Sequence, residues 1–302
     1  MTDQISTASR GKIGFLTVVR RVRSLGHMKL MLVLMVVVGA FVPAWAETKT
    51  AVETGISYYD AAALESANDY QKEQCKLDVY HLVDAPAAPT LIWFHGGGLT
   101  GGQREFPKLK DQGINLVSVS YRLSPKGEFP CFLEDAAAAT AWTIRNISKY
   151  GGDPKKVFVG GHSAGGYLTL MVGMDPRWLK PYGISPNDLA GLIPVSAQVT
   201  THFTVKKLRG DTQDSLRPII DEYAPLYHSA KNLPPICLIT GDRKIEWKSR
   251  VEENVLLDIT LTHLGHTPHE FHELPGLDHG TVLDGSMPVI RSFIDQVLAA
   301  SK

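Results

Sequence analysis

Val157-Phe-Val-Gly-Gly-His-Ser-Ala-Gly-Gly166 is the stretch on which the reading of this chain turns. Its three opening apolar residues suit the end of a buried strand, and Tyr167-Leu-Thr-Leu-Met-Val172 after it reads as a helix. Between them, Gly161-His-Ser-Ala-Gly165 has the G-x-S-x-G spacing of a sharp strand-to-helix turn that exposes a serine hydroxyl at the end of a sheet. Glycines flank such a turn because a Cβ at either place would collide with closely approaching backbone. Ser163 is therefore the candidate nucleophile. The plainer reading, a Gly-rich turn carrying an ordinary serine, is weighed against it by what lies upstream.

There, Thr90-Leu-Ile-Trp-Phe94 is an apolar run of strand type that leads directly into His95-Gly-Gly-Gly98. Glycines in such a loop let peptide N–H groups approach a substrate oxygen, and they stand in place before negative charge forms on it. Gly97 and Gly98, with Ala164 just after the serine, are the candidate oxyanion donors. A phosphate-binding loop would instead need a following Lys-Ser or Lys-Thr, or a G-x-G-x-x-G opening the next helix, and neither is present.

The sequence resembles the α/β-hydrolase esterases of the hormone-sensitive-lipase-like and acetyl-esterase type. The resemblance rests on His95-Gly-Gly-Gly98, on Val117-Ser-Val-Ser-Tyr-Arg-Leu-Ser-Pro125 with Phe129-Pro130 and Glu134-Asp-Ala-Ala-Ala138, on Gly161-His-Ser-Ala-Gly-Gly166 and on Asp278-His-Gly280. Together these motifs cover most of residues 70 to 300. The resemblance implies an α/β fold with a mostly parallel central sheet, helices on both faces and the site at the carboxyl ends of the strands. It also implies a serine ester hydrolase working through an acyl-enzyme on short-chain, acetyl-type esters, carbohydrate esters among them, with no cofactor and no metal. The rival functions are amide hydrolysis by the same residues and a binding protein that keeps the fold without the chemistry.

In this fold the acid follows the strand expected over Pro234–Gly241 and the histidine follows the last strand, over Glu270–Leu274. His279 stands where the general base belongs. The acid departs from the family: in Gly241-Asp-Arg-Lys244 a lysine occupies the place of the aspartate in the usual G-x-x-D. The carboxylate that accepts from the histidine Nδ1–H must then come from Asp242 or Glu246. Asp242 is slightly preferred because it lies closest to the strand end, with Asp278 next in line. His263, His266, His269 and His272 recur every third residue but straddle Gly265 and Pro268, so they are not read as a metal site.

Beyond these motifs, strands are expected over 75–82, 113–121 and 191–196 and helices over 134–149, 247–264 and 288–299, while 197–232 is either an insertion shaping the substrate pocket or a plain connecting loop with one helix. The formal charge is zero, but Arg10, Lys12, Arg20, Arg21, Arg23 and Lys29 stand against Asp3 alone in the first 46 residues, leaving the remainder mildly acidic. That balance argues against nucleic acid as a partner. Lys29, the apolar run Leu30–Phe41 and Ala44-Trp-Ala46 read as a secretory signal peptide over 1–46, with Met28 as an alternative start. The run is shorter than the ~20 residues of a membrane span, so no stable membrane insertion is expected after cleavage. A catalytic domain over 47–302, secreted or periplasmic, follows. An oxidising compartment would favour a Cys75–Cys131 disulfide with Cys237 free, the alternative being three free thiols.

Overall fold

The computed structural model describes residues 49–83 and 85–300; the leader expected over 1–46 lies outside them. The chain runs β1 (Thr50–Ser57), α1 (Ala61–Glu65), α2 (Asp69–Gln74), β2 (Lys76–Leu82), β3 (Ala88–Phe94), β4 (Asn115–Val119), α3 (Cys131–Asn146), β5 (Gly152–His162) and α4 (Ala164–Met174). It continues through α5 (Pro176–Leu179), β6 (Gly191–Val195), α6 (Phe203–Leu208), β7 (Ile236–Thr240), α7 (Arg250–Leu264), β8 (His269–Glu273), α8 (Val282–Gly285) and α9 (Met287–Ala300). The strands form one eight-stranded sheet in the order β1-β2-β4-β3-β5-β6-β7-β8. β3 to β8 are parallel, and β1 and β2 join antiparallel at one edge.

The central strands read as unbroken apolar runs because both of their faces are covered. Ile92, Phe94, Val157, Val159, Ile236 and Leu238 face α3, α4 and α7, while Leu91, Trp93, Phe158, Cys237 and Ile239 alternate onto the face covered by α9. All of them are at most 1% exposed, which marks the sheet interior as the core. Two of the family motifs meet structurally rather than chemically. Asp135, wholly buried in α3, accepts a bidentate pair of bonds from Arg122 and a 2.7 Å bond from the Tyr59 hydroxyl. This ties the loop after β4 and the segment after β1 to the start of α3.

The expected Cys75–Cys131 bridge is corrected by the structure: all three cysteines are buried free thiols. In place of a bridge, both thiols are sealed beside the Asp135 carboxylate. Burial, and then that charge, push Cys131 up to about 12 and Cys75 further still. Residues 50–57 supply β1 as the edge strand, with a register shift between Glu53 and Ile56. Element ends otherwise fall within a few residues of the sequence reading. The insertion over 197–232 holds only α6 and a single 3-10 turn, Pro225–His228.

Candidate active site

The loops that follow β3, β5, β7 and β8 leave the same end of the sheet, so four distant stretches of sequence converge. Ser163 sits between β5 and α4 at φ 55°, ψ −113°, a positive φ that a non-glycine residue adopts only when its surroundings impose it. Those surroundings are backbone. A Cβ on Gly165 would lie 2.0 Å from the Phe94 carbonyl oxygen, and one on Gly161 would lie 2.5 Å from the Gly165 carbonyl carbon. The Ser163 N–H donates to the Val195 carbonyl at 2.8 Å, which pins the turn to the end of β6. The elbow is thus held by close approach of three strands' backbones.

The Ser163 hydroxyl lies 2.9 Å from His279 Nε2, and His279 Nδ1 lies 2.6 Å from Glu246 Oε1. Glu246 is the carboxylate brought to the histidine; the preference for Asp242 is corrected. The reason is local geometry. The N–H groups of Ile245 and Glu246 both donate to the Asp242 carbonyl, at 2.9 and 2.7 Å, so the chain winds one tight turn after β7 and returns Glu246 over the strand end. Asp242 Oδ1 and Oδ2 accept instead from the N–H groups of Lys244 and Gly276, which joins the acid loop to the histidine loop. Asp278 accepts from the N–H of Gly280 and Thr281 and from the Thr281 hydroxyl, closing the turn before α8.

Glu246 is fully furnished with donors. Oε1 accepts from His279 and the Trp247 N–H, and Oε2 from the Ser196 hydroxyl at 2.6 Å and the Gly241 N–H at 2.9 Å. Burial alone would push this carboxyl up; the four donors outweigh it and hold it down to about 2. It is therefore a stable anion facing the imidazole. Gly241 has no alternative here, since a Cβ would lie 2.8 Å from Glu246 Oε2 and 2.4 Å from the Leu277 carbonyl oxygen.

On the opposite side, Gly97 (φ 106°) and Gly98 (φ 64°) turn the loop after β3. The Gly97 carbonyl accepts from the N–H groups of Thr100 and Gly101, and the Gly98 carbonyl accepts from the Thr204 hydroxyl at 2.5 Å. Their N–H groups have no partner among the described residues, and Ala164 opens α4, where an N–H has no acceptor within the helix. His95 supports the loop from below. Its ring stacks on Tyr121 at 4.3 Å, Nδ1 donates to the Gly96 carbonyl at 2.6 Å, and burial pushes it down to about 4, so it is neutral.

Four participants carried no motif signal. His162, the variable residue of the elbow, donates from Nε2 to the His279 carbonyl at 2.7 Å; burial, and then the neighbouring His279, lower it to about 4. Ser196, at the end of β6, fixes Glu246. Phe203 from the insertion would touch a Cβ on Gly98 at 3.2 Å, and Trp247 stands between Phe203 and His279 at 5.7 and 5.4 Å. Phe203 lies in the segment 197–232 expected to shape the pocket, and for Ser196 the sequence signal is a polar residue ending a buried strand, Val195-Ser196. Elsewhere in the insertion, His202 stacks on Phe203, the Tyr223 carbonyl accepts from the Tyr167 hydroxyl, His228 donates to the Glu222 carbonyl and Tyr227 is exposed.

The profile of the family described as alpha/beta hydrolase fold matches residues 91–283. Esterase LipC of Mycobacterium tuberculosis is 29% identical over 257 residues, covering 73% of this chain and 62% of that protein. The probable carboxylic ester hydrolase LipM of the same organism is 33% identical over 253 residues, covering 74% of this chain and 57% of that protein. The chain thus spans about three fifths of the length of these relatives. Among solved structures, a truncated carbohydrate esterase from gut microbiota covers 84% of this chain and 98% of its own at TM-score 0.66 and 17% identity. Esterase B from Lactobacillus rhamnosis, inhibited, covers 83% of this chain and 88% of its own at TM-score 0.65 and 21% identity. A profile match running from the middle of β3, through the elbow, to α8, on a sheet of this strand order, means that the chain belongs to the α/β-hydrolase fold family.

Proposed function

We propose that this protein is a serine carboxylic ester hydrolase in which Ser163 is the nucleophile, His279 the general base and Glu246 the acid. The observation that carries the reading is the unbroken Ser163–His279–Glu246 relay, at 2.9 and 2.6 Å, ending on a carboxylate held ionised by four donors. His279 Nε2 takes the Ser163 proton as Oγ attacks the ester carbonyl carbon; Glu246 keeps Nδ1 protonated and stabilises the imidazolium that forms. The Gly97, Gly98 and Ala164 N–H groups receive the developing oxyanion. Collapse expels the alcohol, which leaves with the proton from His279. Water, deprotonated by the same nitrogen, then attacks the acyl-enzyme and releases the acid and free Ser163. No cofactor enters any step.

Esters with short, acetyl-type acyl groups are the proposed substrates on the family resemblance, and Phe203 stands close beside Gly98. A cleft of about 370 Å³ lies beyond Phe203, lined also by Lys207, Asp211, Thr212 and Gln213; a sugar as the alcohol is proposed on the family resemblance. The relatives' names, esterase and carboxylic ester hydrolase, support ester over amide chemistry. Export is proposed on the basic, apolar and Ala-Trp-Ala pattern of residues 29–46; a mature N-terminus at residue 47 in exported protein is the expected finding.

A panel of short and long p-nitrophenyl esters, acetylated sugars and a peptide amide tests the activity, beside fluorophosphonate labelling. Wild type should label at Ser163 and cleave short esters fastest. Ser163→Ala should remain folded, refuse the label and lose on the order of 10⁴-fold or more in kcat. A folded Ser163→Ala protein with most of its turnover would end the mechanism.

A further inference from the structure

The four evenly spaced histidines of the sequence do not assemble. His266 Nδ1 donates to the Lys231 carbonyl and His269 Nδ1 to the His266 carbonyl, so two of them are spent on local backbone. His272 is recruited elsewhere. Cys237 of β7 is directly paired with Glu270 of β8, and Glu270 and His272, two residues apart, project from the same face of the strand. That face is the one covered by α9, where Cys237 is wholly buried. A sulfur, a carboxylate oxygen and an imidazole nitrogen thereby lie within 4.8 Å of one another.

From this juxtaposition we infer that Cys237, Glu270 and His272 form a binding site for a thiophilic divalent cation of the zinc class, which clamps β8 to β7. Donors bound at about 2.0–2.3 Å around a tetrahedral centre stand about 3.3–3.7 Å apart. Glu270 Oε2 and His272 Nε2 already stand 3.3 Å apart, and the sulfur, within 4.8 Å of both, has at most about 1 Å to close. His272 Nε2 is buried and, apart from its approach to Glu270 Oε2, has no hydrogen-bond partner. One thiolate, one imidazole and one carboxylate form a borderline-soft donor set that favours zinc or cobalt over magnesium or calcium. On binding, the Cys237 thiol gives its proton to solvent. The thiolate and carboxylate charges then balance a divalent cation, with His272 neutral and the fourth position left for water.

The placement gives the cation a structural task. β8 is the outermost strand at its edge of the sheet, and it leads into the loop that carries His279, while β7 leads into the turn that carries Glu246. A clamp across Cys237 and Glu270 holds the two strands in the register from which both loops depart. The site lies along the strands, apart from the Ser163–His279–Glu246 relay at their ends.

Cobalt titration of the full chain, first stripped with chelator and reductant, tests the site. One equivalent should bind with a thiolate-to-cobalt charge-transfer band, zinc should displace it, and the melting temperature should rise with either metal. Cys237→Ser should remove the band. His272→Ala, at a partly exposed side chain that leaves the core intact, should weaken uptake by more than the about 10–100-fold that loss of an outer-shell partner costs, while metal-free ester turnover stays at the wild-type level. Absence of uptake, uptake with no charge-transfer band, or uptake unchanged in His272→Ala would each overturn the inference.

Discussion

At the end of β5 the chain is fixed by its own backbone: glycines at 161 and 165 sit where any Cβ would run into the carbonyls of Gly165 and Phe94, and Ser163 is driven to a positive φ. At the end of β7 the corresponding turn is fixed by a side chain. Glu246 reaches back to Gly241, Trp247, Ser196 and His279, and the turn keeps its shape because that carboxylate has four donors to satisfy. A backbone lock tolerates change in the side chain it presents. A side-chain lock fails as a unit when its anion is altered, since the donors left behind are buried and unpaired.

The sharpest break of that contrast is Glu246→Gln against Asp242→Asn. A glutamine cannot stabilise the imidazolium, and its NH₂ would face a donor, so kcat should fall on the order of 10³–10⁴-fold with KM little changed. Asp242→Asn removes charge from a turn whose acceptors face backbone N–H groups that an amide oxygen still serves at one of the two places. Its kcat should stay near wild type, with the loss seen in melting temperature. Matching losses of kcat in the two variants would mean that the acid is not Glu246 alone.

Next in size is the backbone lock itself. Gly165→Ala places a methyl 2.0 Å from the Phe94 oxygen with no flexible atom to yield, so the turn must move against β3. The expected outcome is loss of about 4 kcal/mol or more, read by urea unfolding, or failure to accumulate as soluble protein. Gly166→Ala meets a side-chain methyl of Ala197 at 2.9 Å and should cost less. Equal stability of Gly165→Ala and wild type would remove the steric account of the elbow.

These two turns also explain what could be read from the chain alone. The elbow was legible because its constraint is steric: only glycine fits, so the requirement is written as residue identity at fixed spacing. The same holds for His95-Gly-Gly-Gly98 and for the apolar runs Thr90–Phe94 and Val157–Val159, whose two buried faces force continuous hydrophobicity. The acid was not legible, because its position depends on how the chain winds between Asp242 and Glu246 and on Ser196, a residue fifty positions away that only the sheet brings near. His162 and Trp247 were hidden for the same reason, and in place of the Cys75–Cys131 bridge stand two free thiols buried beside Asp135.

A smaller effect separates the loops by pH. His95 and His162 are both lowered to about 4 by burial, from an ordinary value near 6.5. The unfolded chain therefore binds their protons first, so the stability they withhold is complete above about pH 6.5 and is lost as pH falls through about 4. Glu246, lowered to about 2, loses its contribution later, from the ordinary carboxylate range down to about pH 2. Melting temperature should thus decline in two windows, with His162→Asn flattening the upper one and Glu246→Gln the lower. An upper window unchanged in both His162→Asn and His95→Asn would place its origin elsewhere.

The smallest expected change probes whether the oxyanion loop is held by backbone alone, as the elbow is, or borrows a side chain, as the acid turn does. Its glycines supply the steric part, since a Cβ on Gly97 would lie 2.1 Å from the Gly101 carbonyl oxygen. Yet the Gly98 carbonyl is held by the Thr204 hydroxyl at 2.5 Å, a contact from the insertion to the far side of the site. That bond sets the plane of the peptide that follows Gly98 and, through the φ and ψ of Gly98, limits the swing of its own N–H. Thr204→Val keeps the volume and removes the donor. One hydrogen bond is worth about 0.5–1.5 kcal/mol, and here it bears on donor alignment, which matters more once charge has formed on the substrate oxygen than before. The variant should therefore lose up to about tenfold in kcat with KM nearly constant, while Thr204→Ser, which keeps the donor, should recover most of it. If Thr204→Val turns over like wild type, the glycines alone hold the loop and it belongs with the elbow; if KM rises while kcat holds, α6 shapes the substrate pocket rather than the oxyanion site.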